Sequence, residues 1–319
     1  AAMEQQGALI ERSLREFGPT LLGCYEQDGN LFWESGELFS FLINGVWRKV
    51  RFPTGPAYKV LPDARLTFGG GMLEIKQGER RRYATMLSIK EFAGQVEPGT
   101  LGALLYEDSE FIETQSFSSL PRRQAMAALT TQRDQLLASD DVVVTQIEAM
   151  DVALDQLGDG QFAMGEYSYT LAVFGDTQGE CSKRAASAVG ALTETTAMEL
   201  VPVDLVADAA WFSQQPGNFQ WRPRKATISS RAFAALTCGH NFLRGKRDGN
   251  PWGEALALMR TPAGNPFYLN LHASPEGEDS EGKKLPGNTI VIGSTGSGKT
   301  TLLTGLLALT PKWAVRPRV

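Results

Sequence analysis

The chain has 319 residues, enough for two domains or one large domain with part of another. Its 42% hydrophobic and 21% charged content is that of an ordinary globular protein, and its net charge of −5 argues against a surface that clamps nucleic acid over its whole extent. No apolar run approaches the ~20 residues of a bilayer-crossing helix, and no N-terminal basic head is joined to an apolar stretch, so a cytosolic location is expected.

The first 75 residues are rich in turns and read as a β-rich subregion. Asp28-Gly29 between apolar runs predicts a hairpin over 20–34, followed by a short helix over 36–43 and a strand over 46–52 ended by Pro53. A strand pair is expected at 65–68 and 72–76 around Gly69-Gly70-Gly71. Residues 84–92 read as a strand, Pro98 as the opening of a short helix to 105, and 110–117 as an alternating strand. A long helical stretch over 121–157 is broken near Ser139-Asp140-Asp141.

The same grammar then repeats. Residues 165–174 form a strand with Tyr167, Tyr169, Leu171 and Val173 on one face, 179–195 an amphipathic helix, 198–203 a strand and 207–214 a helix. Two successive strand–helix–strand–helix units predict an α+β, ferredoxin-like sandwich. A helical piece at 230–236 and strands at 255–259 and 266–271 follow, and the acidic run 273–287 reads as a loop. The domain reading is therefore an α+β domain over 76–280 and the start of a second, α/β domain over 281–319.

Near the C-terminus, Gly293-Ser294-Thr295-Gly296-Ser297-Gly298-Lys299-Thr300 fits G-x-x-x-x-G-K-[ST]. Residues 288–292 predict a short buried strand entering this loop, and 301–309 a helix leaving it, stopped by Pro311. Glycines let successive N–H groups converge on phosphate oxygens, and the helix N-terminus adds its positive dipole end. In that chemistry Lys299 is the catalytic candidate, holding the β- and γ-phosphates of ATP. The Thr300 hydroxyl ligates Mg²⁺, and the run from Gly293 to Thr301 forms the cradle.

Other candidates read as structural. His240 is set beside no nucleophile, and Trp252 serves either as a loop anchor or as a stacking surface for adenine. Glu110 with Glu113, and Asp140 with Asp141, are expected in solvent, as are Arg80-Arg81-Arg82, Arg122-Arg123 and Arg222-Pro223-Arg224-Lys225. Cys24, Cys181 and Cys238 lack C-x-x-C spacing and, with His240 and His272 as the two imidazoles, do not assemble a zinc site.

Several segments together resemble one family in collinear order. They are Met86-Leu87-Ser88-Ile89-Lys90-Glu91-Phe92, Thr114-Gln115-Ser116-Phe117, Gln215-Pro216-Gly217-Asn218, His240-Asn241-Phe242, Gly249-Asn250-Pro251-Trp252-Gly253 and Pro286-Gly287-Asn288-Thr289. The chain is similar here to the CagE/TrbE/VirB-type conjugal-transfer ATPases of bacterial type IV secretion systems. The resemblance implies a hexamer, or trimer of dimers, at the cytoplasmic face of the inner membrane. It implies contacts with small inner-membrane components and with other ATPases of the machine. The family's activity is ATP hydrolysis by a RecA-like domain, powering pilus biogenesis and transfer of protein or DNA.

Family members also carry a Mg²⁺-holding acid and an arginine downstream of the loop helix. Both would fall after Val319, so a fragment inactive by itself is expected. Two alternatives stand beside this reading: a non-catalytic docking and assembly module, and a hexameric DNA translocase.

Overall fold

The computed structural model describes residues 2–14, 20–94, 96–138, 144–237, 242–250, 253–271 and 288–313. Cys238, His240, Trp252, His272, Asp140 and Asp141 lie outside the described residues. Two units are resolved, Ala1–His240 and Asn241–Val319, so the division falls ahead of the acidic run.

The first unit opens with helix α1 (Ala2–Ser13) and a hairpin of β1 (Cys24–Gln27) and β2 (Asn30–Trp33). Asp28 and Gly29 have φ of 53° and 70°, the left-handed pair that a two-residue turn needs to match strand twist. Helix α2 (Glu34–Asn44) follows at once and ends on Gly45 at φ 66°, whose N–H donates to the Phe41 carbonyl. Residues 46–52 do not form the expected strand. They run beside β2 through two bonds, Trp33 N to Val50 O and Phe52 N to Leu31 O.

Seven strands make one sheet: β3 (Arg65–Gly69), β4 (Met72–Gln77), β5 (Arg80–Glu91), β6 (Phe111–Ser119), β7 (Met164–Gly175), β8 (Glu199–Pro202) and β9 (Ala226–Ser229). All its pairings are antiparallel, which places the unit in the α+β class. On one edge β5 pairs first with β4 and then with β8. On the other it pairs with β7. The centre therefore reads β8-β5-β7-β6.

Alternation along β5 and β7 builds two cores. Leu87, Ile89, Tyr167, Tyr169, Leu171 and Val173 face the 3-10 segment Thr100–Tyr106 and helix α5, which supplies Ala185, Ala188 and Leu192. Ala84, Met86, Ala172 and Phe174 face the other way, against Leu73, Ile75 and Trp211. The turn at 100–106 is 3-10 rather than the helix expected from Pro98, and it is entered from Gly99 at φ 89°.

The helical stretch after β6 divides into α3 (Arg122–Leu137) and α4 (Val144–Gly158), joined at their base by Ala125, Leu129, Leu157 and Met164. Helix α5 (Gln178–Thr196) starts from Thr177, whose hydroxyl accepts the Glu180 N–H at 3.2 Å. Helices α6 (Ala207–Phe212) and α7 (Ser230–Leu236) complete the unit.

Three charged positions expected in solvent are structural instead. Arg82 packs over the Phe174 ring, donates to the Gly45 carbonyl at 2.9 Å and pairs with Glu110. The Arg222 side chain is 5% exposed and pairs with Glu166 at 3.0 Å. Its guanidinium also bonds Ser118 and the carbonyls of Glu166 and Phe219, giving the buried fork the partners it requires. Glu113 faces the apolar core between Phe111 and Gln115, because strand alternation carries it inward.

In the second unit β10 (Ala257–Arg260) and β11 (Pro266–Leu269) form an antiparallel ribbon, and α8 (Lys299–Leu309) carries the C-terminal helix. Lys312 donates to the Ala255 carbonyl at 2.8 Å and lies 3.3 Å from Glu254, tying the end of α8 to the start of the ribbon. Among the described residues no helix is long and apolar enough to cross a membrane.

Candidate phosphate-binding site

The glycine-rich run sits at the start of α8, as its sequence demands. Gly298 caps the helix at φ 82° and Gly296 lies at φ 84°, conformations that a residue with a Cβ resists. Between them the chain turns back, with the Ser297 N–H on the Ser294 carbonyl at 3.3 Å. At Gly293 the constraint is weaker and of a different kind. A Cβ there would lie 2.6 Å from Ser297 Oγ, so that hydroxyl would have to turn away.

Lys299 folds across this turn. Its ammonium donates to the carbonyls of Gly293 at 2.8 Å and Ser294 at 2.7 Å, so the charge is held at the mouth of the loop by the loop itself. Thr300 and Thr301 are exposed on the first turn of α8. The opening N–H groups of a helix have no intrahelical acceptor, and the dipole there is positive. The run therefore gathers orphan amide donors, one ammonium and several exposed hydroxyls, that of Thr300 among them, in consecutive residues, a donor set that matches a phosphate chain with a bound divalent cation.

The strand expected over 288–292 is not formed. Ile290 and Ile292 are 80% and 89% exposed, and among the described residues no strand pairs with this segment. An apolar parallel-type strand exists only where neighbours accept its backbone groups and cover its side chains. The Thr289 hydroxyl donates to the Leu271 carbonyl at 3.3 Å.

Sequence reasoning missed the Lys312 tether and the role of Gln115. The latter was readable only as a strand residue, because its partner Leu236 lies far along the chain. No local pattern marks such a contact.

Comparisons with known proteins bear on the first unit most directly. The model of the CagE, TrbE, VirB family, component of type IV transporter system, matches residues 20–224. The type IV secretion system protein PtlC homolog of Bordetella bronchiseptica is 42% identical over 318 residues, covering 98% of this chain and 38% of that protein. The type IV secretion system protein virB4 of Brucella abortus is 41% identical with the same coverage, and that of Bartonella henselae 37% identical over 94% of this chain and 37% of its own length. This chain thus spans well under half the length of these relatives. With a family match across most of the first unit and such relatives along nearly its whole length, the chain belongs to the CagE, TrbE, VirB family of type IV transporter components.

Proposed function

We propose that this chain is part of an ATPase subunit of a type IV secretion system, using ATP to power pilus biogenesis and substrate transfer across the cell envelope. The observation that carries the reading is the loop at 293–300, with Gly296 and Gly298 left-handed and Lys299 bonded back to Gly293 and Ser294. ATP with Mg²⁺ supplies the transferable phosphoryl group. The N–H groups from Ser294 to Thr300 cradle the phosphates, Lys299 leaves the loop carbonyls to pair with the β- and γ-phosphates, and the Thr300 hydroxyl takes the cation.

The strand order β8-β5-β7-β6, with the 3-10 segment and α5 on the same face, supports a ferredoxin-like core for the first unit. The loop and α8 fit the beginning of a RecA-like domain. Names of the relatives support partners within a secretion machine, and we assign the subunit to a hexamer at the cytoplasmic face of the inner membrane, moving protein or DNA.

The test is equilibrium binding of a fluorescent ATP analogue with Mg²⁺ to this chain and to Lys299→Ala. A loss of at least about tenfold in affinity, roughly 1.4 kcal/mol, is expected with no change in melting temperature. Equal binding by both proteins refutes the site.

A second reading, a docking and assembly module without turnover, is favoured by the uncovered segment 288–292. ATP turnover by this chain no greater than that of Lys299→Ala supports it, and turnover clearly above that level refutes it.

A further inference from the structure

Helix α7 is the last described helix of the first unit, and side chains of β6 and β7 hold it on the sheet. Phe233 stacks on Phe117 with ring centroids 4.9 Å apart and meets Tyr167 edge-on at 6.1 Å. At the C-terminal end of the helix, the Leu236 carbonyl accepts from Gln115 Nε2 at 3.1 Å. The same nitrogen donates to Glu113, and Gln115 Oε1 accepts the Tyr167 hydroxyl at 3.0 Å. Every hydrogen of this amide is therefore committed.

Glu113 is the chemical anomaly beneath the helix. In register with Leu171, it stands on the face that carries the larger apolar cluster. Among the described residues no cation pairs with it. Tyr167 and Tyr169 are the titratable groups of β7 that face it. The sole charged residue of α7, Arg231, is turned to Gln156 and the Phe162 ring. The 3-10 segment contributes only exposed Tyr106, and on α5 Arg184 is engaged by Glu180 and the Phe174 carbonyl. Burial raises the Glu113 carboxyl above the ordinary glutamate range, partly offset by the bond from Gln115. Across from Gln115, Tyr169 buries a hydroxyl that has no protein partner among the described residues. The Glu113 carboxyl, joined to the end of α7 through the Gln115 amide, is thus better solvated when the helix lifts.

We propose that Glu113 makes α7 a proton-linked strap, closed over the neutral acid and lifted more often once the carboxyl is ionised. In the lifted state the half-buried Glu113 side chain gains further hydration, and its pKa returns toward the ordinary glutamate value. Because the closed state has the higher pKa, closure is fully favoured below the ordinary value. It weakens as pH rises toward the raised value and is constant above it. Lifting adds residues 230–237 to the connection that leads into the glycine-loop unit.

Hydrogen exchange of the 319-residue chain tests this, since α7 amides can open while β7 amides stay protected. After correction for intrinsic amide chemistry, α7 protection is expected to fall with rising pH. The total fall is about tenfold for each unit by which the closed pKa exceeds the open one. In Glu113→Gln the profile should be flat, with greater protection at neutral pH. In Gln115→Leu, α7 protection should drop at every pH because the Leu236 carbonyl loses its donor. A flat wild-type profile, the wild-type slope persisting in Glu113→Gln, unchanged protection in Gln115→Leu, or α7 exchanging only together with β7 would each overturn the proposal. Melting curves establish that the variants fold. Should either fail to do so, the wild-type slope measured against β7 decides alone.

Discussion

Strand β7 and the segment 288–292 are both apolar runs rich in strand-forming residues, and they meet opposite fates. Tyr167, Tyr169, Leu171 and Val173 are at most 1% exposed, because β7 has β6 on one edge and β5 and β9 on the other. Ile290 and Ile292 are 80% and 89% exposed and have no strand beside them among the described residues. Propensity does not separate the two runs; the supply of neighbours does. Yet the glycine loop immediately after the uncovered segment is fully shaped. Its geometry comes from the φ of two glycines and from Lys299 bonding residues five and six positions back, all within one short stretch. A strand is a collective structure, whereas this loop is a local one.

That contrast can be broken at either end. The largest effect is expected from Trp211→Ala. Trp211 is fully buried on the second core, edge-on to Phe174 at 6.1 Å, with its indole N–H on the Ile43 carbonyl at 2.9 Å. Truncation should cost about 3–5 kcal/mol in chemical denaturation of the first unit. A cost below about 1 kcal/mol would mean that α2 and α6 are not joined through one core. A smaller and confined effect is expected from Gly298→Ala, which forces a Cβ into φ 82°. The strain of about 1–2 kcal/mol should fall on the start of α8. Weakened nucleotide binding with an unchanged first-unit transition is the expected result, and a shift of that transition would show the loop to be less local than its geometry implies.

What could be read from the sequence follows the same division. The Asp28-Gly29 hairpin, the inward face of β7 and the amphipathic helix α5 rest on local chemistry or simple periodicity, and each was legible. So was the order of residues in the glycine loop. Strand β9 was not, because four residues carry too little pattern and pair with β7 across a long sequence separation. Arg82, Arg222 and Glu113 were misread as solvated for the same reason. Their partners, Gly45, Ser118 and the apolar face of the sheet, lie far along the chain or are defined only once the sheet exists. The expected strand at 288–292 failed in the opposite direction, with the pattern present and the neighbours not found.

The smallest expected effect sharpens the comparison most. Substituting Ile290 or Ile292 by Ser removes an apolar side chain that is already in water, so stability should change by less than about 0.5 kcal/mol. The matching change in β7, Leu171→Ser, removes a side chain with no exposed surface and places a hydroxyl opposite Glu113 and Leu87. If Ile292→Ser destabilises the chain as strongly as a core substitution, the side chain is covered in solution and the strand has found neighbours. If it is neutral, the apolar character of this segment does nothing for the chain's own stability. Its surface is then left for association, and the shape of the loop that follows owes nothing to it.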